Sequence, residues 1–351
     1  MNRDSEFETW AAGSIAQRWA GARIEKITPL KGDLSTRRFW RIWIASPQNH
    51  AAPSTAIIVG LGPHDLPAYV RTLNLLPHPI SEPPWINVHR FLTSLGAPVP
   101  ALYDSSSERR AMLVEDVGDL SLHDASLRPK ADVADLFRTA TEELLRLHVE
   151  ATLKIDKKCI AQEIAYDARL FEWEMKEFKE IGLSVVAPGA ALASLEPELA
   201  MLASRLGSYP RVFSHRDFHG HNLYLEPGGR IRIIDFQDAL MAPATQDLAV
   251  LLTTRDTDVI VTPAIERRIL DFYSAGLSRR GSATIAPADF IISYRLSVLQ
   301  HALKMIGRFE FFERDGKTGY AVFIPHVLRQ ARRMLAEMRT EFPQLCIALG
   351  A

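Results

Sequence analysis

The chain has 351 residues, 47% of them hydrophobic and 24% charged, with 41 basic against 42 acidic residues for a net charge of −1. That length suits two lobes with sizeable cores, and the charge balance excludes electrostatic partnership with nucleic acid or an anionic membrane surface. Cys159 and Cys346 form no C-x-x-C pair and fit free thiols in a reducing cytoplasm, residues 1–12 lack the apolar core of a secretory signal, and no stretch approaches the ~20 apolar residues of a membrane span.

Phe7, Trp10, Ile15 and Trp19 recur at near-helical spacing, which predicts an amphipathic helix over 5–22. Strands over 24–27, 38–44 and 56–59 follow, then a Pro-rich loop over 77–84 and a helix over 85–95 stopped by Gly96. Met112-Leu113-Val114 reads as a short apolar strand leading into the acidic connector Glu115-Asp116-Val117-Gly118. From there helices dominate, over 131–149, 160–181, 192–206, 245–253, 263–280, 288–306 and 324–341. The order implies an α+β, bilobal architecture. A small β-rich N-lobe spans 1–114, a hinge 115–120, and a larger, mainly helical C-lobe 121–351. No internal repeat or low-complexity tract interrupts it.

The most informative segment is Ser214-His215-Arg216-Asp217-Phe218-His219-Gly220-His221-Asn222, followed by Ile233-Ile234-Asp235-Phe236. Leu223–Leu225 and 230–234 read as two strands around Pro227-Gly228-Gly229, a hairpin signal. With the turn near Gly228, the antiparallel register sets Asn222 beside Ile234 and Asp235. Two oxygen ligands then converge where a Mg²⁺ ion can sit. Asp217 lies in the loop just before the hairpin, within reach of an acceptor hydroxyl. This spacing matches the kinase-type template, in which a loop Asp takes the hydroxyl proton while an Asn and a second Asp hold metal. His219 and His221 have no second ligand pair at finger-like spacing, so a finger-type zinc site is not expected.

The pieces H-R-D-F-H-G-H-N (215–222), I-I-D-F-Q-D-A (233–239) and Q-D-L-A (246–249) resemble the aminoglycoside phosphotransferase and choline kinase group, a family of protein-kinase-like fold. Three longer segments are similar to its N-acetylmuramate/N-acetylglucosamine anomeric kinase branch, which serves cell-wall recycling: 30–39, 234–247 and 300–317. The resemblance implies ATP and Mg²⁺ as cofactors and a cytoplasmic, monomeric enzyme that phosphorylates the anomeric hydroxyl of an N-acetylated amino sugar. It makes Asp217 the catalytic base, with His215 and Arg216 shaping the loop, and Asn222 and Asp235 the metal ligands. Asp247 either braces the loop through backbone hydrogen bonds or caps helix 248–253. Gly32, Asp33 and Ser35 form the cover over the phosphates, and Glu115 and Val117 face the adenine. One departure stands out. The third strand, Ala56-Ile57-Ile58-Val59-Gly60, carries no Lys, and the next helix offers Asn87 and His89 instead of a Glu. Arg37, Arg38 or Arg41 is left to supply the missing charge, since an Arg fork binds phosphate bidentately.

On the substrate side, Gln237 and Asp238 follow the metal Asp and are placed to bind sugar hydroxyls. His301 and Lys304 share one helix face. Across 290–333 eight Lys/Arg stand against three acids, a balance that disfavours polycationic acceptors and suits a carboxylate-bearing sugar. Other readings of the same motifs are a kinase of an aminoglycoside, choline, homoserine or another sugar, a protein kinase, and a catalytically weak nucleotide-binding scaffold. No A-P-E segment or long activation loop follows Asp235, which disfavours a protein kinase. Retention of Asp217, Asn222 and Asp235 together disfavours a scaffold.

Overall fold

The computed structural model describes residues 3–30, 32, 37–46, 51–62, 66–280 and 286–351. Its N-terminal part holds one antiparallel sheet of five strands: β1 (Arg23–Leu30), β2 (Arg38–Ala45), β3 (Thr55–Gly60), β4 (Leu102–Ser106) and β5 (Ala111–Glu115). They lie in the order β1-β2-β3-β5-β4. The remainder is mainly helical, the α+β arrangement expected from the element order. β4 escaped the sequence reading because it is a polar edge strand, nowhere fully buried and paired on one side only.

Alternation along β2 sorts its side chains between two environments. Trp40, Ile42 and Ile44 join Ala56, Ile58 and Leu113 beneath the helix Arg3–Arg18, which contributes Phe7, Ala11, Ile15 and Trp19. The other face, with Phe39, Ile57, Val59, Met112 and Val114, packs toward Trp85, Val88 and Leu92 of the helix Pro84–Ser94. That second core runs on into the helical part without a break.

The stretch 160–181, expected as one helix, is a 3₁₀ turn (Ile160–Glu163), a helix (Ala168–Glu174) capped by Asp167, and a π turn (Phe178–Gly182). The π turn wraps over Gly307 in the long helix Pro287–Arg314. A Cβ on Gly307 would stand 2.2 Å from the Phe178 nitrogen, and one on Gly182 would stand 3.0 Å from the Gly307 Cα. Only glycine permits backbones to approach so closely.

Four short strands complete the scaffold: β6 (Arg211–Ser214), β7 (Leu223–Leu225), β8 (Ile231–Ile233) and β9 (Leu240–Pro243). They form two antiparallel pairs, β6–β9 and β7–β8. Loop 215–222 runs from β6 to β7 and loop 234–239 from β8 to β9, so the two pairs bracket both loops. Gly228 and Gly229 take positive φ in the hairpin turn, which only glycine adopts without strain. Among the described residues no helix is long and apolar enough to cross a membrane.

Candidate active site

Loop 215–222 is held from beneath by one carboxylate. Asp247, fully buried in the helix Thr245–Thr253, accepts the backbone N–H groups of His215 and Arg216, each at 2.8 Å. It also accepts His148 Nε2 at 3.0 Å, while the Tyr273 hydroxyl lies 2.5 Å from His148 Nδ1. A hydroxyl donating to Nδ1 leaves the imidazole proton on Nε2, facing Asp247. Burial alone would raise the Asp247 carboxyl, but these donors hold it below the usual carboxylate range. Of the two roles left open by the sequence, Asp247 takes that of brace. The brace supports strain, because Arg216 sits at φ 74 and Asp235 at φ 65, a region non-glycine residues avoid.

Asp217 is half-buried, and its carboxylate accepts no hydrogen bond from the described residues. Its carbonyl instead accepts Asn222 Nδ2 at 2.9 Å and the His219 amide at 3.0 Å. Leu223 pairs with Ile233, and the Ile234 amide donates to the Asn222 carbonyl at 3.0 Å, which sets Asn222 across from the residue before Asp235. His215 Nε2 adds a second tie to the Ile234 carbonyl at 3.0 Å. Asn222 is engaged through its amide nitrogen and Asp235 through Oδ1, which leaves Asn222 Oδ1 and Asp235 Oδ2 without hydrogen bonds among the described residues. An amide oxygen and a carboxylate oxygen are the donor set a hard divalent cation takes.

Arg37, Arg38 and Arg41 separate cleanly. Arg37 reaches the loops: Nη2 lies 2.5 Å from Asp235 Oδ1 and Nη1 2.9 Å from Gln237 Oε1. Gln237 in turn donates to Asp235 Oδ1 at 3.0 Å. Burial would raise the Asp235 carboxyl, but Arg37 beside it pulls it below the ordinary range. Arg38 faces the opposite side of β2, with its guanidinium 5.6 Å from the Phe7 ring and 5.1 Å from Trp40. Arg41 is committed to the connector after β5, 2.7 Å from both Asp116 and Asp119. Period-two alternation explains the outcome, since Arg37 and Arg41 share a face that Arg38 does not. Asn87 and His89 of the helix Pro84–Ser94 are structural. Asn87 joins Glu82 to the backbone of Lys158 and Ile160, and His89 bonds the Pro100 carbonyl at 2.8 Å. Phe236, the residue after Asp235, packs on Trp85 and His89.

Glu115 forms a fork with Arg232 at 2.9 and 2.5 Å and accepts the Ala101 amide, so its side chain ties the end of β5 to the hairpin. Val117 follows in the connector, half-buried. At Gly32 a Cβ would meet only ordinary contacts, at 3.7 Å, so the fold itself does not demand glycine there. Asp33 and Ser35 lie outside the described residues.

Beneath the loop lies a buried charge network that sequence reasoning missed. Arg216 lies 2.5 Å from Glu174, 3.7 Å from Asp238 and 4.1 Å from the centre of the Tyr69 ring. Lys304 pairs with the same Glu174 at 2.7 Å. Burial would raise Glu174, yet Lys304 and Arg216 hold its carboxyl at about 2. Asp238 behaves oppositely: burial, helped by Asp217 and Asp235 and opposed by Arg216, pushes it up to about 6. His301 is buried, with Nε2 2.7 Å from the Thr254 hydroxyl. Lys304 and His301 therefore face inward, onto Glu174 and Thr254. The basic excess of 290–333 is likewise met locally, as Arg308 pairs with Glu177, Arg295 with Glu337, Arg329 with Asp258 and Arg333 with Glu266. The cationic groove expected from composition is neutralised by acids from other segments. Glu174 has no motif around it, and only the fold shows its role.

A family model described as a phosphotransferase enzyme family matches residues 26–282. The chain belongs to this family. It is therefore a phosphotransferase. It is 28% identical over 253 residues to an N-acetylmuramate/N-acetylglucosamine kinase of Caulobacter vibrioides; the match covers 68% of this chain and 66% of that protein, just under two thirds of its length. A protein of the same name from Pseudomonas aeruginosa is 29% identical over 272 residues, 75% of each chain. Among solved structures, choline kinase from Cryptosporidium parvum superposes with a TM-score of 0.61 at 13% identity, covering 97% of this chain and 98% of that one. The ADP-bound aminoglycoside phosphotransferase APH(2'')-Ib gives 0.57 at 14%, covering 95% and 99%. These likenesses establish a shared fold.

Proposed function

We propose that this phosphotransferase uses Mg-ATP to phosphorylate an N-acetylated amino sugar, N-acetylmuramate or N-acetylglucosamine, on its anomeric hydroxyl. The carrying observation is the Asp217 carboxylate, free of hydrogen bonds from the described residues, in the loop that the hairpin register joins to Asn222 and the residue before Asp235. Asp217 orients the acceptor hydroxyl and takes its proton as the bond to phosphorus forms. Asn222 and Asp235 would hold Mg²⁺, which when bound would supply positive charge to neutralise the transferring phosphate. Arg37 stands at Asp235 to take up phosphate charge in place of the missing strand lysine, while the connector around Glu115 and Val117 receives the adenine. Gln237 and Asp238 flank the acceptor. Lys304 and His301 act from behind, Lys304 through Glu174 and His301 through Thr254. The names of the sequence relatives support the amino sugar, and the resemblance of 300–317 to the anomeric kinases supports the anomeric position.

The test is a panel of sugars with Mg-ATP that follows ADP release and reducing ends together. An anomeric phosphate has no free reducing end, so the reducing signal falls in step with ADP. ADP release from N-acetylmuramate or N-acetylglucosamine with a constant reducing signal would move the transfer to another hydroxyl. Turnover only with choline or an aminoglycoside would remove the sugar altogether.

A further inference from the structure

We propose that His123, His221 and Asp256 form a site for a transition-metal ion of the Zn²⁺ type, separate from the Asn222/Asp235 pair. The three residues are far apart in sequence. His123 lies in the helix Leu122–Ser126, His221 in loop 215–222, and Asp256 just beyond the helix Thr245–Thr253. The fold brings their ligand atoms within 4.8 Å of one another. The imidazoles lie with centroids 4.1 Å apart, and His123 Nε2 stands 3.3 Å from Asp256 Oδ1.

Both of those atoms are shielded from solvent and neither is in hydrogen-bond geometry with any described residue. A buried nitrogen and a buried carboxylate oxygen facing each other without a hydrogen bond each lose their solvation. One ion between them satisfies both. A tetrahedral Zn²⁺ with bonds of about 2.0–2.2 Å separates its ligand atoms by about 3.3–3.6 Å, which fits the His123–Asp256 spacing. His221 closes the remaining gap by turning its ring about χ2, a soft torsion. An outer carboxylate is in place as well: His123 Nδ1 lies 3.4 Å from Asp124 Oδ1, and Ser121 anchors Asp124. Such a partner fixes the tautomer and leaves Nε2 for the metal.

Two imidazoles with one carboxylate favour a borderline ion over Mg²⁺, which prefers oxygen alone. Arg255 acts electrostatically on His221 and opposes the ion's charge, while Asp256 and Asp124 favour it. Occupancy would tie the helix after the hinge to the catalytic loop, adding to the bond from the His123 amide to the Gly220 carbonyl at 3.1 Å.

The experiment uses the full chain, stripped with a chelator and titrated with Zn²⁺ against a chromophoric chelator, and in parallel with Co²⁺ followed by its ligand-field absorption. One ion per chain is expected, with a Co²⁺ spectrum of four or five ligands. His123→Ala and the nearly isosteric Asp256→Asn, each checked by circular dichroism, should each weaken binding about tenfold or more. Asp235→Asn should leave the spectrum unchanged. Absence of stoichiometric binding, equal affinity in folded Asp256→Asn, or loss of the spectrum in Asp235→Asn would overturn the site.

Discussion

Loop 215–222 and the helix Pro287–Arg314 are both rich in polar side chains, yet they use them in opposite ways. The loop leaves the Asp217 carboxylate and the Asn222 oxygen without hydrogen bonds from the described residues and fixes its backbone from below through Asp247. The helix turns Lys304 and His301 inward, to Glu174 and Thr254. Charge along a sequence therefore does not say which groups meet a ligand. A buried acid elsewhere in the chain decides that. Arg216 and Lys304 share Glu174, which makes the helix part of the loop's foundation.

The comparison is broken most severely if a residue from each region fails to behave in its own way. Asp217→Asn should lower kcat on the order of 10²–10⁴-fold, the usual size of a general-base contribution, with the melting temperature unchanged. Lys304→Met should do the reverse, shifting stability while leaving the KM for sugar near wild type. An effect of Asp217→Asn confined to KM would make it a binding residue. A KM effect of Lys304→Met specific to the carboxylate-bearing sugar would return Lys304 to the substrate.

Glu174→Ala is the next largest test. It removes the acid that Lys304 pairs with and leaves Arg216 only Asp238, at 3.7 Å, and breaking a buried pair in this way costs about 3–5 kcal/mol. Chemical denaturation should show the loss, and the double variant with Lys304→Met should recover part of it. A loss below about 1 kcal/mol in Glu174→Ala would mean that water reaches these cations and the network is not a foundation.

The geometry of the candidate site was legible because it is local. Asp217, Asn222 and Asp235 fall within one loop and one hairpin, and hairpin register follows from turn position alone. The helix Arg3–Arg18 and strands β1, β2, β3 and β5 were equally readable from apolar period. What stayed hidden depends on distant pairs. No spacing rule connects Glu174 to Lys304, His148 to Asp247, or His123 to Asp256. Arg37 was one of three candidates until the pleat of β2 placed Arg38 on the outer face. The broken helix at 160–181 depends on Gly307, whose lack of a side chain matters only once the π turn lies over it.

That crossing gives a smaller test. Gly307→Ala forces a methyl group to within 2.2 Å of the Phe178 nitrogen, against backbone that cannot rotate aside. Overpacking of this kind costs about 1–3 kcal/mol. Gly316→Ala, where nothing lies within 4 Å but φ is 79, serves as a control that tests strain without a clash. Equal losses in the two variants would remove the close crossing as the cause.

The smallest effect concerns pH and isolates His301. Burial, with Lys304 and His219 nearby, holds its imidazole at about 3, against an ordinary value near 6.5. Between those values the unfolded chain binds a proton that the folded chain refuses. Stability from this residue is therefore complete above about pH 6.5 and falls as the pH drops, by up to about 1.4 kcal/mol per pH unit. The window to follow by denaturation lies between about pH 6 and 5. Glu174 works in a lower one, since its carboxyl stays ionised down to about 2. Asp238, pushed up to about 6, takes up its proton in the folded protein near this window with the opposite sign; it is common to both proteins and cancels in the difference. His221, also held near 3, is common to both proteins and cancels in the difference. His301→Gln, which keeps a polar group facing Thr254, should show a shallower loss of stability over that window than wild type. Identical slopes would mean that His301 takes up its proton in the folded protein, and that the inward side of the long helix is wetter than the packing around Thr254 implies.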